Sequence, residues 1–186
     1  MENELIGLTA RKIRELLENR EVSSKDLLDA LEVRIAQVDN AVNALPTLCF
    51  ERARKRAGQQ DYSNTKLKGL PIVIKDLMEV AGVRSTSGSK IYEHHIPDTS
   101  DLLVERLEAE GSIVYAKSNT PEFGAGANTF NNVFGITRNP WNTALSAAGS
   151  SGGSAVALAT GMAWLATGSD LGGSLRNPAS FCGVVG

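Results

Sequence analysis

The sequence is short of the residues that usually announce a catalytic or metal centre: it has two histidines and two cysteines among 186 residues. His94 and His95 are adjacent, and neighbouring positions do not put two ligands on one helix face, so no metal site is expected. Cys49 and Cys182 lie far apart and outside any CxxC pattern. That spacing suits buried small hydrophobes in a reducing cytoplasm better than a disulfide or a zinc site. An excess of one charge is lacking too. Nineteen basic residues face 21 acidic ones and no basic stripe stands out, so no direct nucleic-acid partner is expected. Residues 139–169 contain no Asp, Glu, Lys or Arg, yet the Gly/Ser hexamer at 149–154 interrupts them. The apolar part beyond falls short of the ~20 residues a membrane helix needs. The N-terminus, MENELIGLTARKIREL, is charged from its second residue and has no apolar h-region, so it does not read as a secretory signal.

What is present is an ordinary globular composition, 42% hydrophobic and 22% charged, long enough to bury a core as one domain or a large part of one. Residues 8 to 43 read as two amphipathic helices. The first carries Ile13, Leu16 and Leu17; the second opens with a cap at Ser23 or Ser24 and continues through Leu27, Leu28, Leu31, Ile35 and Val38. Glu51 to Ala57 reads as a third helix before a polar loop from Gly58 to Lys68.

From Gly69 the pattern changes. Pro71-Ile72-Val73-Ile74 is a short apolar run ending at Lys75-Asp76, as a buried strand does. Ser100 is the expected cap of a helix from Asp101 to Ala109, with Leu102, Leu103 and Leu107 inward and Gly111 ending it. Ile113 to Ala116 reads as a second buried strand, 117–145 as loop, Ser154 to Thr160 as helix and Ala163 to Thr167 as strand. This alternation predicts an α/β fold with a mixed, mostly parallel central sheet flanked by helices. The chain divides into a helical segment over about 1–60 and an α/β part over about 69–186. The closing run Phe181 to Gly186 is apolar and uncapped, which predicts either a tucked terminal strand or, preferred, a chain truncated at its C-terminus.

Two glycine-rich turns draw attention. Gly149-Ser-Ser-Gly-Gly-Ser154 resembles a flexible linker, but it runs directly into the apolar stretch Ala155 to Leu165. A glycine turn entering a buried helix instead brings backbone N–H groups together, as anion-holding loops do. A phosphate loop is disfavoured because neither GxxxxGK[ST] nor GxGxxG occurs, and no positive charge follows until Arg176. The second turn, Gly168-Ser-Asp-Leu-Gly-Gly-Ser-Leu-Arg176, places Ser174 after two glycines, where backbone amides can face a substrate oxygen and a serine can be the nucleophile. Its base is not obviously histidine, since His94 and His95 sit in a charged loop with no visible orienting partner. Lys75, at the end of a buried strand, is the alternative, because burial disfavours its ammonium form. A lysine there, taken alone, is more often half of a salt bridge, with Asp76 beside it.

Gly69-Leu-Pro-Ile-Val-Ile-Lys-Asp76, Ala148-Gly-Ser-Ser-Gly-Gly-Ser154 and Gly168-Ser-Asp-Leu-Gly-Gly-Ser-Leu-Arg-Asn-Pro-Ala179 together resemble the signature blocks of the amidase signature family. Lys117-Ser-Asn-Thr-Pro-Glu-Phe123 and Thr137-Arg-Asn-Pro-Trp141 resemble its linking segments, so the likeness extends over essentially the whole chain. The resemblance implies the N-terminal portion of a single domain of that fold. It implies Ser174 as nucleophile, Ser150 as a bridging serine behind a non-proline cis peptide, and Lys75 as general base. The amides of Leu171, Gly172, Gly173 and Ser174 become the oxyanion hole, and Ser151 and Asp170 supporting residues. No cofactor is implied. The implied reaction cleaves a carbon–nitrogen amide bond through an acyl-enzyme, with a small-molecule amide as partner, no membrane, and a possible homo-oligomeric copy. Ala148 departs from the family's Gly-Gly before the serine pair, with little expected effect on the chemistry. Pro121-Glu122-Phe123 and Asn177 stand where the glutaminase subunit of a tRNA-dependent amidotransferase is expected to carry Met-Glu-Phe and Gln. A stand-alone amidase is therefore preferred, with that glutaminase or an inactive fragment as alternatives.

Overall fold

The computed structural model describes residues 2–186, with side chains from Glu4 onward. Its N-terminal third is helical: α1 (Glu2–Ile6), α2 (Ala10–Glu18) and α3 (Ser24–Val42). The short α1 lies ahead of the helices expected from the sequence. Of the two candidate caps, Ser23 is the one used. Its Oγ accepts the Asp26 N–H at 3.2 Å while Asp26 Oδ2 accepts the Ser23 N–H at 2.8 Å, a reciprocal capping box. Ile13, Leu17, Leu27, Leu28, Leu31 and Ile35 are buried as their spacing predicts, whereas Leu16 and Val38 are half-buried at the margin of the same stripe.

A two-residue strand, β1 (Thr47–Leu48), precedes α4 (Phe50–Gln59) and the polar loop. Then come β2 (Pro71–Lys75), α5 (Leu102–Ala109) and β3 (Ile113–Ser118). The sheet order is β1-β3-β2, with β3 parallel to β2 and antiparallel to β1, so it is mixed. Helix α5 makes the crossover that a parallel pair requires. A short hairpin, β4 (Phe130–Asn131) with β5 (Gly135–Ile136), lies within the loop-rich stretch, followed by α6 (Gly152–Ala159) and α7 (Arg176–Cys182). Among the described residues no helix is long and apolar enough to cross a membrane.

Two apolar clusters cover the sheet. The larger joins Val73, Ile113 and Tyr115 to α2, α3, α4 and α6; the smaller joins Ile72, Ile74 and Val114 to Val80, Val83 and Val104. A register shift between Ile72 and Val73 leaves Tyr115 without a strand partner, so that Val73 pairs with Ala116, Ile74 with Lys117 and Lys75 with Ser118. Such a bulge turns all later side chains of one strand to the opposite face. Here it puts Lys117 on the face of Ile74, away from Tyr115.

Several expectations are corrected. Residues 163–167 do not form a strand: one parallel bridge joins Ala166 to Val73, flanked by Val73 N–H to Leu165 O at 3.1 Å and Thr167 N–H to Val73 O at 2.9 Å. The ladder stops because the next donor, Lys75 N–H, goes to the Thr167 side chain at 2.8 Å. Ser100 does not cap α5, since its Oγ accepts the Ala81 N–H at 2.9 Å and Asp101 is the residue at the cap position. Leu102 and Leu103 point outward, 66% and 47% exposed, while Val104 and Glu108 are buried. The inward stripe of α5 is Val104, Leu107 and Glu108, with Glu108 accepting from Arg52 Nη1 at 2.8 Å, so a charged residue occupies a core-facing position. The C-terminal run is no strand: Phe181 and Cys182 end α7, and Gly183 caps it at φ 73°.

Candidate active site

Lys75 is the last residue of β2 and fully buried, because the hydrophobic run before it carries it into the interior. Among the described residues its side-chain nitrogen meets no carboxylate. Nζ lies 2.7 Å from Ser150 Oγ, 2.9 Å from Ser151 Oγ and 2.8 Å from Ser169 Oγ. Burial pushes its pKa down from 10.5 to about 8, against a smaller upward pull from Asp170. Ser151 ties the two glycine turns together. Its N–H donates to Ser174 O at 3.0 Å, and its Oγ accepts the Ser169 N–H at 3.2 Å and donates to Ser169 O at 3.3 Å.

The Gly149–Ser150 peptide is cis, as the family resemblance implies. The amides that open α6 do not form an open anion site. Gly152 N–H goes to Thr129 Oγ1 at 3.1 Å and Gly153 N–H to Asn119 O at 3.3 Å. Gly153 is where α6 presses on the end of β3: a Cβ there would sit 2.6 Å from Asn119 O and 2.8 Å from Ala44 O, so only glycine fits without moving backbone.

Ser174 is half-buried at the second turn. Among the described residues its hydroxyl makes no hydrogen bond within the chain, so Ser150 and Ser174 belong to linked loops without a direct bond between their hydroxyls. Asp170 organises this turn. Its Oδ1 accepts the Gly173 N–H at 2.7 Å, and Oδ2 accepts the Leu175 and Arg176 N–H groups, each at 3.2 Å. Arg176 Nε completes the arrangement at 2.9 Å from Oδ2, and these donors hold the Asp170 carboxyl well below the usual range. Gly173, expected as an oxyanion donor, is therefore engaged by Asp170, while the amides of Leu171, Gly172 and Ser174 have no acceptor within the described chain. Gly173 adopts φ 111°, a region open to glycine, and this lets the turn form.

Three residues were missed from sequence. Ser169 contacts Lys75 directly, although the second glycine block contains it. Thr167 Oγ1 accepts the Lys75 N–H, and Thr167 O accepts from Ser154 Oγ at 2.7 Å. Since that takes the Ser154 proton, Ser118 Oγ–H is the donor in its 2.7 Å contact with Ser154 Oγ. Lys117 is the third. Asp76 does not pair with Lys75: its Oδ1 accepts from Lys117 Nζ at 2.7 Å, with Thr86 N–H and Oγ1–H completing the carboxylate. His95 does have a partner, Glu79, at 2.9 Å, and this half-exposed pair makes no bond to a serine hydroxyl.

The amidase family model matches residues 26–186. A glutamyl-tRNA(Gln) amidotransferase subunit from Thermoanaerobacter pseudethanolicus is 43% identical over 188 residues, covering 98% of this chain and 38% of that protein. The structure of 6-aminohexanoate cyclic dimer hydrolase superposes with a TM-score of 0.87 at 33% identity, over 96% of this chain and 37% of its own. A bacterial aryl acylamidase of the amidase signature enzymes gives 0.85 at 30% identity, over 92% and 37%. The chain thus spans about two fifths of the length of the curated relatives it matches.

Proposed function

This chain belongs to the amidase signature family, and we propose that it carries the residues that break a carbon–nitrogen amide bond through an acyl-enzyme on Ser174. The observation that carries this reading is the Lys75 amine, buried with three hydroxyls and no carboxylate. A neutral amine offers two N–H donors and one lone pair. The Ser151 proton is already given to Ser169 O, so Ser151 can only accept from Lys75. With Ser169 accepting the second N–H, the lone pair is left for Ser150 Oγ–H. Lys75 then takes the Ser150 proton as Ser150 takes that of Ser174, and Ser174 Oγ attacks the amide carbonyl. The unengaged amides of Leu171, Gly172 and Ser174 are suited to the developing oxyanion, with Gly173 lent to Asp170 to shape the turn. The proton returns along the relay to the leaving nitrogen, and water or another acceptor releases the acyl group. Substrate binding must bring Ser174 Oγ within reach of Ser150, as catalytic hydrogen bonds often tighten only in the complex.

A stand-alone amidase remains the first reading, supported by Pro121-Glu122-Phe123 and Asn177 and by the likeness to a cyclic dimer hydrolase and an aryl acylamidase. The curated relatives favour a second one, in which the amide is that of glutamine and the ammonia passes to a partner. Comparing turnover of glutamine with turnover of an aryl amide by the intact protein separates the two. The shared chemistry is tested by Ser174→Ala, which should abolish both amide turnover and covalent labelling by a fluorophosphonate probe. Undiminished turnover in that variant would remove Ser174 as nucleophile.

A further inference from the structure

The buried pair of Asp76 and Lys117 lies across the sheet from the base and has no part in the relay. Asp76 directly follows Lys75 in the chain and is 1% exposed, and Lys117 is fully buried. Lys117 Nζ donates to Asp76 Oδ1 and to Ser85 Oγ, each at 2.7 Å. Resting on the reading of Lys75 as a base that must shed its proton, we propose that Lys117 is a positioning residue for the same reaction: by neutralising Asp76 it leaves the Lys75 amine free to be uncharged.

The charges around Lys75 can be counted. The residue after its strand is Asp76, and β3 supplies Lys117. The turn after residue 167 supplies Asp170 with Arg176 as its counterion, and the loop into α6 supplies only the hydroxyls of Ser150 and Ser151. Around Lys117 stand Asp101, ahead of α5, and Cys49, whose thiol is pushed up to about 11 by burial and so carries no charge near neutrality. Asp76 is therefore the buried carboxylate that follows the base directly in the chain, whereas Asp170, which pulls the Lys75 pKa up, lies on an exposed turn. An unpaired carboxylate in a dry interior attracts a neighbouring ammonium strongly and holds its proton in place. Lys117 cancels that field from the opposite face of the sheet, which leaves burial as the dominant influence on Lys75.

The test reads Lys75 itself, independently of turnover. In the intact protein, lysines labelled with 13C at Cε report the Lys75 titration, assigned by the resonance lost in Lys75→Arg. Lys117→Met should raise the Lys75 midpoint by about one pH unit, and Asp76→Asn should lower it by a similar amount. The double variant should return it close to wild type. If Lys117→Met does not fold, Asp76→Asn and the double variant still carry the test. A Lys75 midpoint unmoved by Asp76→Asn overturns the proposal and leaves the pair a purely structural feature. The catalytic reading fails separately: Lys75→Ala with wild-type amide turnover would remove the base while leaving the predicted titration shifts intact.

Discussion

Two lysines on neighbouring parallel strands are buried to the same degree and held by opposite kinds of partner. Lys75 ends β2 among three serine hydroxyls; Lys117 lies near the end of β3 against the carboxylate of Asp76. Burial lowers the pKa of both, but only Lys117 has a contacting carboxylate that opposes the shift. Hydroxyls satisfy an amine in either protonation state because they can donate or accept, whereas a carboxylate rewards only the ammonium form. Burial alone therefore does not make a lysine a base. The partner set decides.

The largest expected effect is a crossed pair of substitutions. Lys75→Ala should lower amide kcat by about 10³-fold with the smaller loss of stability, since Ser151 keeps its bonds to Ser169 and no buried charge is stranded. Lys117→Ala should cost about 3–5 kcal/mol in chemical denaturation, because it strands the Asp76 charge in the core. Equal losses of stability in the two variants would break the distinction between the lysines.

The pH dependence sharpens it. With the Lys75 pKa at about 8 instead of 10.5, kcat/KM should fall about tenfold per pH unit below 8 and level off above it. The sign for stability runs the same way. Between 8 and 10.5 the unfolded chain holds a proton that the fold has released, so stability rises with pH across that window. Below 8 both states hold the proton, and the burial penalty of the ammonium is constant. An acid limb near the ordinary lysine range would mean that the hydroxyl cage does not keep the amine neutral.

Much of this contrast was legible in the sequence on one side only. Lys75 could be picked out because an apolar run ends on it, Ser174 because a glycine turn carries it, and Ser150 and Ser151 because their block resembles that of the family. The partner of Asp76 could not. Adjacency suggests Lys75, but alternation along a strand sends consecutive side chains to opposite faces. Lys117, 41 residues away, is brought to Asp76 by strand pairing and a bulge at Tyr115 that simple periodicity does not reveal. Ser169 and Thr167 were hidden for a related reason. They act through a segment that joins β2 by one bridge and a side-chain bond, which a strand pattern over 163–167 cannot distinguish from a full ladder. Leu102 and Leu103 point outward although they are the larger apolar residues of the helix, because the packed face takes Val104 and accepts Glu108 with Arg52.

Asp170→Asn probes the carboxylate at the exposed turn that pulls the Lys75 pKa up. Losing it should free the Gly173 amide from its fixed direction and loosen the turn that carries Ser174, lowering kcat by about ten- to a hundredfold. It should also move the acid limb of kcat/KM downward, because Asp170 pulls the Lys75 pKa up. The sensitivity of Lys117 to this change should be nil, since its partners are Asp76 and Ser85 on the other face. A limb that rises would reverse the assigned role of Asp170.

The smallest effect belongs to Ala148, which precedes the serine loop with φ 58° where the family commonly carries glycine. A left-handed conformation costs an L-residue about 1 kcal/mol, which Ala148→Gly would relieve. Ala148 is also 4% exposed, and losing its buried methyl costs about 0.8 kcal/mol, with a further cost from the freer unfolded chain. The two sides nearly offset, so stability should change by no more than about 0.5 kcal/mol and kcat by less than about twofold. The position of the loop is fixed instead by Thr129 Oγ1 donating to Ala148 O at 2.9 Å and by Ser146 Oγ accepting the Ala148 N–H at 2.9 Å, both of which survive the substitution. If the acid limb moved in Ala148→Gly while stability did not, the backbone of this loop, and not the set of hydroxyls around Nζ, would be what separates Lys75 from Lys117.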